Sequence, residues 1–246
     1  MKKLVAYITT GYPDRDFTVD CALALKEAGV DILELGIPFS DPVADGPVIE
    51  SANLKALQNG FRIDDLFEVS SQIADKIDTL WMGYMNPFYH KGFDLFINKA
   101  KEYGVNGFII PDLPHEESSQ YRSLCQENDL HLISFVAPTD SKERIKTITE
   151  DSSKFVYLVA YAGITGSGAS EDLSNVISDI KDVCDTPIYI GFGVNQQTAK
   201  EKSKNLDGVI VGSAFVSIML DDDLDYNEKI SKMQHLASNI KEQINE

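Results

Sequence analysis

Basic residues are scarce in this sequence of 246 residues. Lys and Arg number 22 against 39 Asp and Glu, which gives a formal net charge of −17. Proteins that bind nucleic acid or an anionic membrane surface use basic patches, but the groups Lys2–Lys3 and Lys200–Lys204 carry no interleaved aromatic residues. The composition therefore excludes both of these binding functions. An anionic substrate would have to be held by local backbone amides, because the overall field of the protein repels it.

Cysteine and long apolar runs are also sparse. The three cysteines, Cys21, Cys125 and Cys184, are odd in number and far apart, so we interpret them as packing residues of a reducing compartment. No segment approaches the ~20 apolar residues of a membrane span, and the first apolar run is too short for a signal peptide. We expect a cytoplasmic protein.

Short apolar runs alternate with amphipathic segments along the whole chain. Strands are predicted at 4–9, 31–37, 79–84, 107–111, 131–136, 155–160, 187–192 and 208–213. Helices are predicted at 17–28, 51–59, 63–76, 93–103, 116–128, 142–150, 172–184, 196–205 and 224–244. This order predicts an α/β fold in which residues 1–246 form a single (β/α)₈ TIM-barrel domain. A doubly wound open sheet is the alternative, although no Gly-x-Gly-x-x-Gly follows the first strand.

The second predicted strand carries an acidic residue on an otherwise apolar surface. By the period of two, Glu34 shares a face with Ile32 and Gly36, and we expect this face to point into the barrel. A carboxyl enclosed there should have a raised pKa, which suits a general acid–base catalyst. The alternative is a structural ion pair, but no Lys or Arg ends any predicted strand.

Acidic residues also follow the strand ends where barrels place their chemistry. Asp45 lies in an Ala-Asp-Gly-Pro turn and could reach towards Glu34, which would give two carboxyl groups separate acid and base roles. Asp41 is equally well explained as a turn former. Asp112 is better explained as a cap on the helix that follows it.

An apolar pocket and a phosphate site are expected at the same end. The candidate pocket residues are Tyr7, Met82, Tyr84, Ile109, Phe135 and Tyr157, although most of them could simply fill the barrel. Glycine-rich strand ends, Gly191-Phe-Gly193 and Gly212-Ser213-Ala, lie after the last two strands, where barrels usually bind phosphate. The sequence has no strand-end Lys for a Schiff base, no zinc-like histidine spacing and no P-loop. These patterns favour acid–base chemistry on a small phosphate ester, without a metal or cofactor in this chain.

The segment from Glu34 to Pro47, ELGIPFSDPVADGP, resembles the signature of the tryptophan synthase α subunit family. Pro111-Asp-Leu-Pro114, Gly163-Ile-Thr-Gly166, Gly191-Phe-Gly193 and the run from Asp207 to Ala214 follow at family-like positions. The resemblance covers essentially the whole chain. The first motif is highly specific, whereas the glycine motifs occur in other phosphate-binding barrels.

The resemblance implies a carbon–carbon lyase of tryptophan biosynthesis that cleaves indole-3-glycerol phosphate to indole and glyceraldehyde 3-phosphate. Glu34 matches the family's general acid–base, and Asp45 matches the carboxylate that stabilises charge on the indole nitrogen. The substrate and its phosphate would contact the following residues: Tyr157, Thr165, Gly166, Phe192, Gly193, Gly212 and Ser213.

The family also implies a partner. A β subunit that holds pyridoxal phosphate would receive indole through a tunnel within an αββα heterotetramer. The residues expected to face it are Pro38, Asp41, Pro42, Asn86 and Pro114.

Two departures from the family pattern leave alternatives open. The chain begins almost at its first strand, so we expect it to lack the N-terminal helix that plugs the barrel in many members. The segment Ala160-Tyr161-Ala162 differs from the serine-containing form often found there. A phosphosugar isomerase and a catalytically inactive activator of the β subunit are therefore competing hypotheses.

Overall fold

A computed structural model describes residues 1–159, 173–191 and 193–246 of the chain. Its strands are β1 (Lys3–Thr9), β2 (Ile32–Gly36), β3 (Asp78–Met82), β4 (Gly107–Ile109), β5 (His131–Leu132), β6 (Ser134–Val136), β7 (Val156–Val159), β8 (Ile188–Gly191) and β9 (Gly208–Val211). Its helices are α1 (Arg15–Glu27), α2 (Pro47–Gln58), α3 (Ile63–Ile73), α4 (Met85–Lys91), α5 (Phe93–Tyr103), α6 (His115–Gln126), α7 (Lys142–Thr149), α8 (Ser174–Val183), α9 (Ala199–Lys202), α10 (Ser213–Leu220) and α11 (Tyr226–Asn245).

The strands form a parallel sheet that curls into a barrel, so that its two outermost strands, β5 and β6, come next to each other in the chain. The strand order is β5-β4-β3-β2-β1-β9-β8-β7-β6, and the two outermost members are separated in sequence only by Ile133. β5 pairs with β4, whereas β6 pairs with β7. The single strand predicted at 131–136 is thus divided at Ile133, where the backbone changes partner. The TIM-barrel prediction is confirmed.

Alternation along the strands separates an inner from an outer apolar layer. The inner cluster contains only residues of the strands and their ends: Val5, Ile32, Leu80, Ile109, Ile133, Phe155, Tyr157, Tyr189 and Ile210. The intervening residues, such as Leu33 and Leu35 of β2, belong to a larger cluster that includes the helices. Glu34 has the same parity as Ile32 and therefore lies on the inner face.

Two glycines make room for tyrosine rings inside the barrel. A Cβ added at Gly36 would lie 2.1 Å from the Tyr7 hydroxyl, and one at Gly191 would lie 2.3 Å from the Tyr157 hydroxyl. Both distances are far below van der Waals contact, so a larger residue at either glycine would displace its tyrosine.

The N-terminal end of the barrel is closed by side chains of the strands. Phe155 stacks on Tyr189 with ring centroids 4.5 Å apart. The Lys154 ammonium group lies 2.6 Å from Asp78 Oδ2, and Asn106 donates to the other carboxylate oxygen at 2.8 Å. Nearly the whole of Lys154 is buried, with 14% of its side chain exposed. This ion pair joins the start of β3 to the start of β7 at the N-terminal end of the barrel, which we call its foot.

Two helices, α4 and α10, are absent from the sequence-based prediction. α4 contains Asn86 and Pro87, which are typical of a turn, and α10 has only Ser213 and Ser217 as polar residues, so its helical periodicity is weak. None of the helices in the described ranges combines the length and apolar character that crossing a bilayer requires.

Candidate active site

The Glu34 carboxyl group lies at the C-terminal end of the barrel interior. Its side chain is completely buried, and neither carboxylate oxygen has a hydrogen-bond partner among the described residues. Two effects raise its pKa from 4.5 to about 8. The larger is burial, which removes water from the charged form, and the smaller is repulsion from Asp45. At neutral pH this carboxyl group therefore carries a proton and can donate it.

Asp45 lies in the loop between β2 and α2, and two donors hold its carboxylate. Its backbone N–H donates to Pro42 O at 2.9 Å, and α2 begins two residues later at Pro47, a favourable first helical position. Asn53 Nδ2 donates to Asp45 Oδ2 at 3.3 Å, and the Tyr84 hydroxyl group also hydrogen-bonds to this side chain.

Burial and hydrogen bonding act in opposite directions on Asp45. Partial burial raises its pKa from 3.8 to about 6, although the hydrogen bonds from Tyr84 and Asn53 favour the charged form. At neutral pH a proton donor, Glu34, thus stands beside a carboxylate, Asp45. Two carboxyl groups with separated pKa values provide the arrangement that acid–base catalysis requires.

The six residues predicted to form an apolar pocket lie in the barrel interior or at its C-terminal end. Ile109 and Tyr157 belong to the inner cluster, with Met82 and Phe135 packed against it. The Phe135 and Tyr157 rings stack with centroids 5.0 Å apart. Tyr7 is buried beside Gly36, and Tyr84 lies in the loop after β3, where it stacks on Phe39 at 5.5 Å.

The glycine-rich ends of β8 and β9 meet at the same end of the barrel. Gly193 adopts a positive φ of 64°, and the Thr198 hydroxyl group donates to its carbonyl oxygen at 2.8 Å. Gly212 caps α10, whose first residue is Ser213, so the first amides of this helix follow the strand end directly. The remaining residues predicted to bind the substrate and its phosphate, Thr165, Gly166 and Phe192, lie outside the described residues, as does the segment Ala160-Tyr161-Ala162.

Two further residues reach this site without having been predicted. Asn53 on α2 orients Asp45, and Lys202 on α9 brings its ammonium group to 2.7 Å from the position of a Cβ at Gly193. Burial lowers the pKa of Lys202. The basic cluster around Lys202 is visible in the sequence, but only the short helix α9 shows that this side chain turns back towards the glycine loop.

The residues expected to face a partner lie at the C-terminal end of the barrel, in the loops after β2 and β4 and, for Asn86, on α4. Asp41, Asn86 and Pro114 are exposed, whereas Pro38 and Pro42 are buried within this chain. Two large apolar side chains of the same region are also exposed, Val43 by 82% in the loop after β2 and Tyr89 by 77% on α4. Asp112 has a different role from the one expected, because its Oδ1 accepts from the Met85 N–H at 2.8 Å and so caps α4 rather than α6.

Within residues 1–159, 173–191 and 193–246, no three His, Cys, Asp or Glu side chains come together in an arrangement able to hold a metal ion.

Comparisons with known proteins agree on one family. The family model described as tryptophan synthase alpha chain matches residues 1–245. The tryptophan synthase alpha chain of Wolinella succinogenes is 57% identical over 246 residues, which cover 100% of this chain and 96% of that protein. The alpha chain of Dehalococcoides mccartyi is 42% identical over 90% of this chain and 89% of its own length.

Solved structures agree with the sequence comparisons. A chain of Mycobacterium tuberculosis tryptophan synthase superposes with a TM-score of 0.89 at 33% identity, covering 99% of this chain and 92% of that chain. A chain of the tryptophan synthase α2β2 complex of Pyrococcus furiosus gives 0.87 at 31% identity, covering 98% and 99%. A barrel with two differently titrating carboxyl groups at its mouth, matched over nearly its whole length by these sequences and structures, belongs to the tryptophan synthase alpha chain family.

Proposed function

We propose that this chain is a carbon–carbon lyase that cleaves indole-3-glycerol phosphate to indole and glyceraldehyde 3-phosphate. The observation that carries the proposal is the pair at the barrel mouth: a fully buried Glu34 without hydrogen-bond partners among the described residues, beside the hydrogen-bonded Asp45. An indole ring leaves as a stable product only when its C3 atom is protonated, so the reaction needs a proton donor inside an apolar pocket.

Glu34 acts as the acid and then as the base. Its carboxyl group delivers a proton to indole C3 and so forms an indoleninium ion. The resulting carboxylate then takes the proton of the glycerol hydroxyl group while the bond between C3 and the glycerol carbon breaks. The electron pair of that bond returns to the ring, the hydroxyl carbon becomes the aldehyde carbon, and Glu34 regains its proton. A pKa of about 8 supplies the protonated form at neutral pH.

Asp45 balances the charge that develops on the indole nitrogen. Its pKa of about 6 leaves it ionised at neutral pH, and the hydrogen bonds from Asn53 and Tyr84 hold it in position. A fixed negative charge close to the developing positive charge stabilises the indoleninium ion most strongly in a site that excludes water. Tyr157 and Phe135 would contact the apolar body of the substrate.

The phosphate group is proposed to bind at the loops after β8 and β9. Gly193 and the first amides of α10, from Gly212 and Ser213 onwards, supply N–H donors, and Lys202 supplies positive charge beside Gly193. Thr165, Gly166 and Phe192 complete this part of the proposal from the sequence alone. Local donors of this kind can hold a dianion although the whole chain carries −17.

A β subunit is the proposed partner, with pyridoxal phosphate bound there rather than in this chain. The exposed Val43 and Tyr89, together with Asp41, Asn86 and Pro114, form an apolar and polar surface around the mouth of the barrel. Indole would pass directly across this surface. We propose that residues 1–246 act as one domain, since α11 returns to the start of the chain, where Lys2 N donates to Asn245 Oδ1 at 2.8 Å. A cytoplasmic location is also proposed, because the three separated cysteines are typical of a reducing compartment.

The test is an indole-release assay on purified protein with and without an added β subunit. We expect indole from indole-3-glycerol phosphate, faster with the β subunit, and a loss of at least ~10³-fold in kcat for Glu34→Gln. Glu27→Gln, at an exposed carboxyl group of α1, is the control and should retain activity. Absence of indole under all conditions would favour an isomerase, while activation of the β subunit without any cleavage would favour an inactive activator.

A further inference from the structure

The turn between β3 and α4 carries Tyr84, the residue whose hydroxyl group reaches Asp45. Tyr84 is 2% exposed, and its ring stacks on Phe39 with centroids 5.5 Å apart. Its hydroxyl oxygen accepts from the Ala44 N–H at 3.1 Å, and the hydroxyl group also hydrogen-bonds to the Asp45 side chain. Because Ala44 is a donor to this oxygen, the hydroxyl hydrogen is available to Asp45. The position of this hydroxyl group therefore decides how well the Asp45 carboxylate is held.

Tyr84 is also the N-cap residue of α4, but its side chain does not cap the helix. N-cap residues normally supply a side-chain oxygen to the first free N–H groups of a helix. The Tyr84 hydroxyl group is instead engaged in the loop that contains Asp45. Asp112, in the loop after β4, supplies the missing acceptor, because its Oδ1 accepts from the Met85 N–H at 2.8 Å. The cap of α4 thus comes from the end of a neighbouring strand.

The backbone on both sides of Tyr84 is fixed to the segment that contains Asp112. On the N-terminal side, the Gly83 N–H donates to Ile109 O at 3.0 Å, where β4 ends. On the C-terminal side, the bond from Met85 to Asp112 fixes the peptide plane that joins Tyr84 to Met85, because a peptide group is planar. The direction in which the Tyr84 side chain leaves the backbone depends on both bonds. Only the second bond is made by a side chain, so a substitution can remove it.

We propose that Asp112 is a positioning residue of the active site, which holds Tyr84 in the orientation that lets its hydroxyl group donate to Asp45. Asp112 acts through the backbone at Met85, not through a hydrogen bond to Asp45 itself. Its importance for catalysis rests on the proposed function, in which the charged form of Asp45 balances the indole nitrogen. The proton affinity of Asp45 can be measured without a substrate, so the two proposals can fail separately.

The test measures the pKa of Asp45 in the full chain without substrate, from the pH dependence of its carboxyl carbon NMR resonance. The spectrum of Asp45→Asn identifies this resonance. Asp112→Ala removes the oxygen that accepts from Met85 and so weakens the bond from Tyr84 to the charged form of Asp45. We expect the pKa of Asp45 to rise by roughly half a unit, an increase of about threefold in proton affinity. The acid limb of the pH profile of kcat for indole release should move in the same direction.

Asp112→Asn separates positioning from charge. The Asn side-chain oxygen still accepts from the Met85 N–H, but the negative charge is lost. Loss of a nearby negative charge by itself lowers the pKa of a carboxyl group. The pKa of Asp45 should therefore stay in place or fall in Asp112→Asn, whereas positioning requires it to rise in Asp112→Ala. The titratable groups that face Asp45 are unchanged in both variants: Glu34 of β2, Glu50 of α2, Tyr7 of β1, Tyr157 of β7 and Tyr84.

Asp14→Ala is the matched control. Asp14 is exposed like Asp112, and its Oδ1 accepts from the Phe17 N–H at the start of α1, also at 2.8 Å. Both variants lose a helix cap, so both should lower Tm slightly, but Asp14→Ala should leave the pKa of Asp45 unchanged. In the Tyr84→Phe background, Asp112→Ala should not raise this pKa further, because the hydroxyl group through which Asp112 acts is absent.

Three results would overturn the proposal. If the pKa of Asp45 stays the same or falls in Asp112→Ala, Tyr84 keeps its orientation without this cap. An equal rise in the wild-type and Tyr84→Phe backgrounds would show that Asp112 acts on Asp45 by another route. An equal rise in Asp112→Asn, which keeps the accepting oxygen, would separate the effect from the bond to Met85. If the pKa shifts as expected but the protein releases no indole, the proposed function fails and the positioning role of Asp112 stands.

Discussion

Burial raises the pKa values of both carboxyl groups at the barrel mouth, and hydrogen bonding opposes this effect only at Asp45. Glu34 has no donor within the described part of the chain, so loss of hydration acts on it without opposition. Asp45 has the Asn53 amide and the Tyr84 hydroxyl, both of which favour its charged form. The division of acid and base roles at this site therefore depends on neighbours of Asp45 as much as on the two carboxyl groups.

The first prediction concerns the stability of Glu34→Gln. The pKa of Glu34 is 4.5 when hydrated and about 8 in the folded chain, so between these values the unfolded chain holds fewer protons than the folded one. Rising pH therefore favours unfolding of the wild type across this window, and the variant lacks this effect. The free energy of unfolding of the variant relative to the wild type should grow by on the order of 3 kcal/mol between pH 4.5 and pH 7.

Urea denaturation at a series of pH values measures this difference. The buried Gln amide shifts the stability of the variant by a similar amount at every pH, so the pH slope is the diagnostic quantity. Glu27→Gln, at an exposed carboxyl group of α1, should follow the wild type throughout. Parallel curves for Glu34→Gln and the wild type would contradict a raised pKa.

The second prediction concerns Tyr84→Phe. Removing the hydroxyl group takes one stabilising hydrogen bond from the charged form of Asp45, so the pKa of Asp45 should rise above its value of about 6. The acid limb of the pH profile of kcat should move to higher pH by up to about one unit. Tyr89→Phe, whose side chain is 77% exposed, is the matched control. An acid limb that stays in place would exclude this role for Tyr84.

For individual residues, the sequence predicts where Glu34 and Asp45 lie, but it does not predict the neighbouring groups that set the pKa of Asp45. The alternation around Glu34 predicts its inward position, because an apolar face and a mixed face are distinguishable in six residues. Asn53, which follows Asp45 by eight positions, and Tyr84, which comes from a different strand end, act through contacts that only the closed barrel creates.

Among the elements, the strand predicted at 131–136 shows that a local apolar pattern predicts an extended backbone but not the strands with which it pairs. Its apolar run predicts one strand, but Ile133 donates to Phe108 O at 3.0 Å while Ser134 already pairs with β7. Two strands of two and three residues result. The run predicts an extended backbone correctly, whereas the change of partner depends on the closure of the whole sheet.

The third prediction concerns the foot of the barrel, where Lys154 and Asp78 join the ends of β7 and β3. Lys154→Met should lower the free energy of unfolding by about 1–3 kcal/mol, because it leaves a partly buried carboxylate without its cation. For a chain of this size, such a change lowers Tm by several degrees. Since the pair lies opposite the catalytic end, kcat should stay unchanged.

Lys200→Met is the matched control for this prediction. Lys200 pairs with Glu246 at 2.7 Å, but the two side chains are 62% and 51% exposed. Exposed pairs of this kind contribute less than about 1 kcal/mol. Thermal unfolding followed by circular dichroism compares the two variants. Equal, small shifts in Tm would show that the barrel foot does not depend on Lys154.

For the whole molecule, the net charge of −17 opposes the arrival of a dianionic substrate. The fourth prediction is that the KM for indole-3-glycerol phosphate falls as sodium chloride rises from ~10 mM, where charges act over about 30 Å, to ~150 mM, where they act over about 8 Å. At higher salt, anions compete for the phosphate site and KM rises again. The affinity for neutral indole serves as the control and should lack this minimum. A KM that only increases from the lowest salt upward would contradict the picture.

The fold as a whole was the most predictable feature. Repeated strand and helix patterns predict a TIM barrel because every strand–helix unit adds one strand to the inner sheet and one helix to the outer layer. A helix or strand that is missed in the prediction therefore does not change the predicted architecture. α10 shows the limit of such a prediction, since the run Ser213–Leu220 is largely apolar and is compatible with a buried strand as well as with a helix.

The tyrosine–glycine pairs inside the barrel impose an order on sequence change. Adding a methyl group at Gly191 while Tyr157 is present forces atoms to within 2.3 Å, and the same holds for Gly36 with Tyr7 at 2.1 Å. If the tyrosine first becomes a smaller residue, the cavity that it leaves can accept the methyl group. Substitutions at these pairs should therefore be accepted in one order. A smaller residue must first replace the tyrosine, and only then can a larger residue replace the glycine without a steric clash. The reverse order passes through a destabilised intermediate that is not evident from the initial or the final sequence.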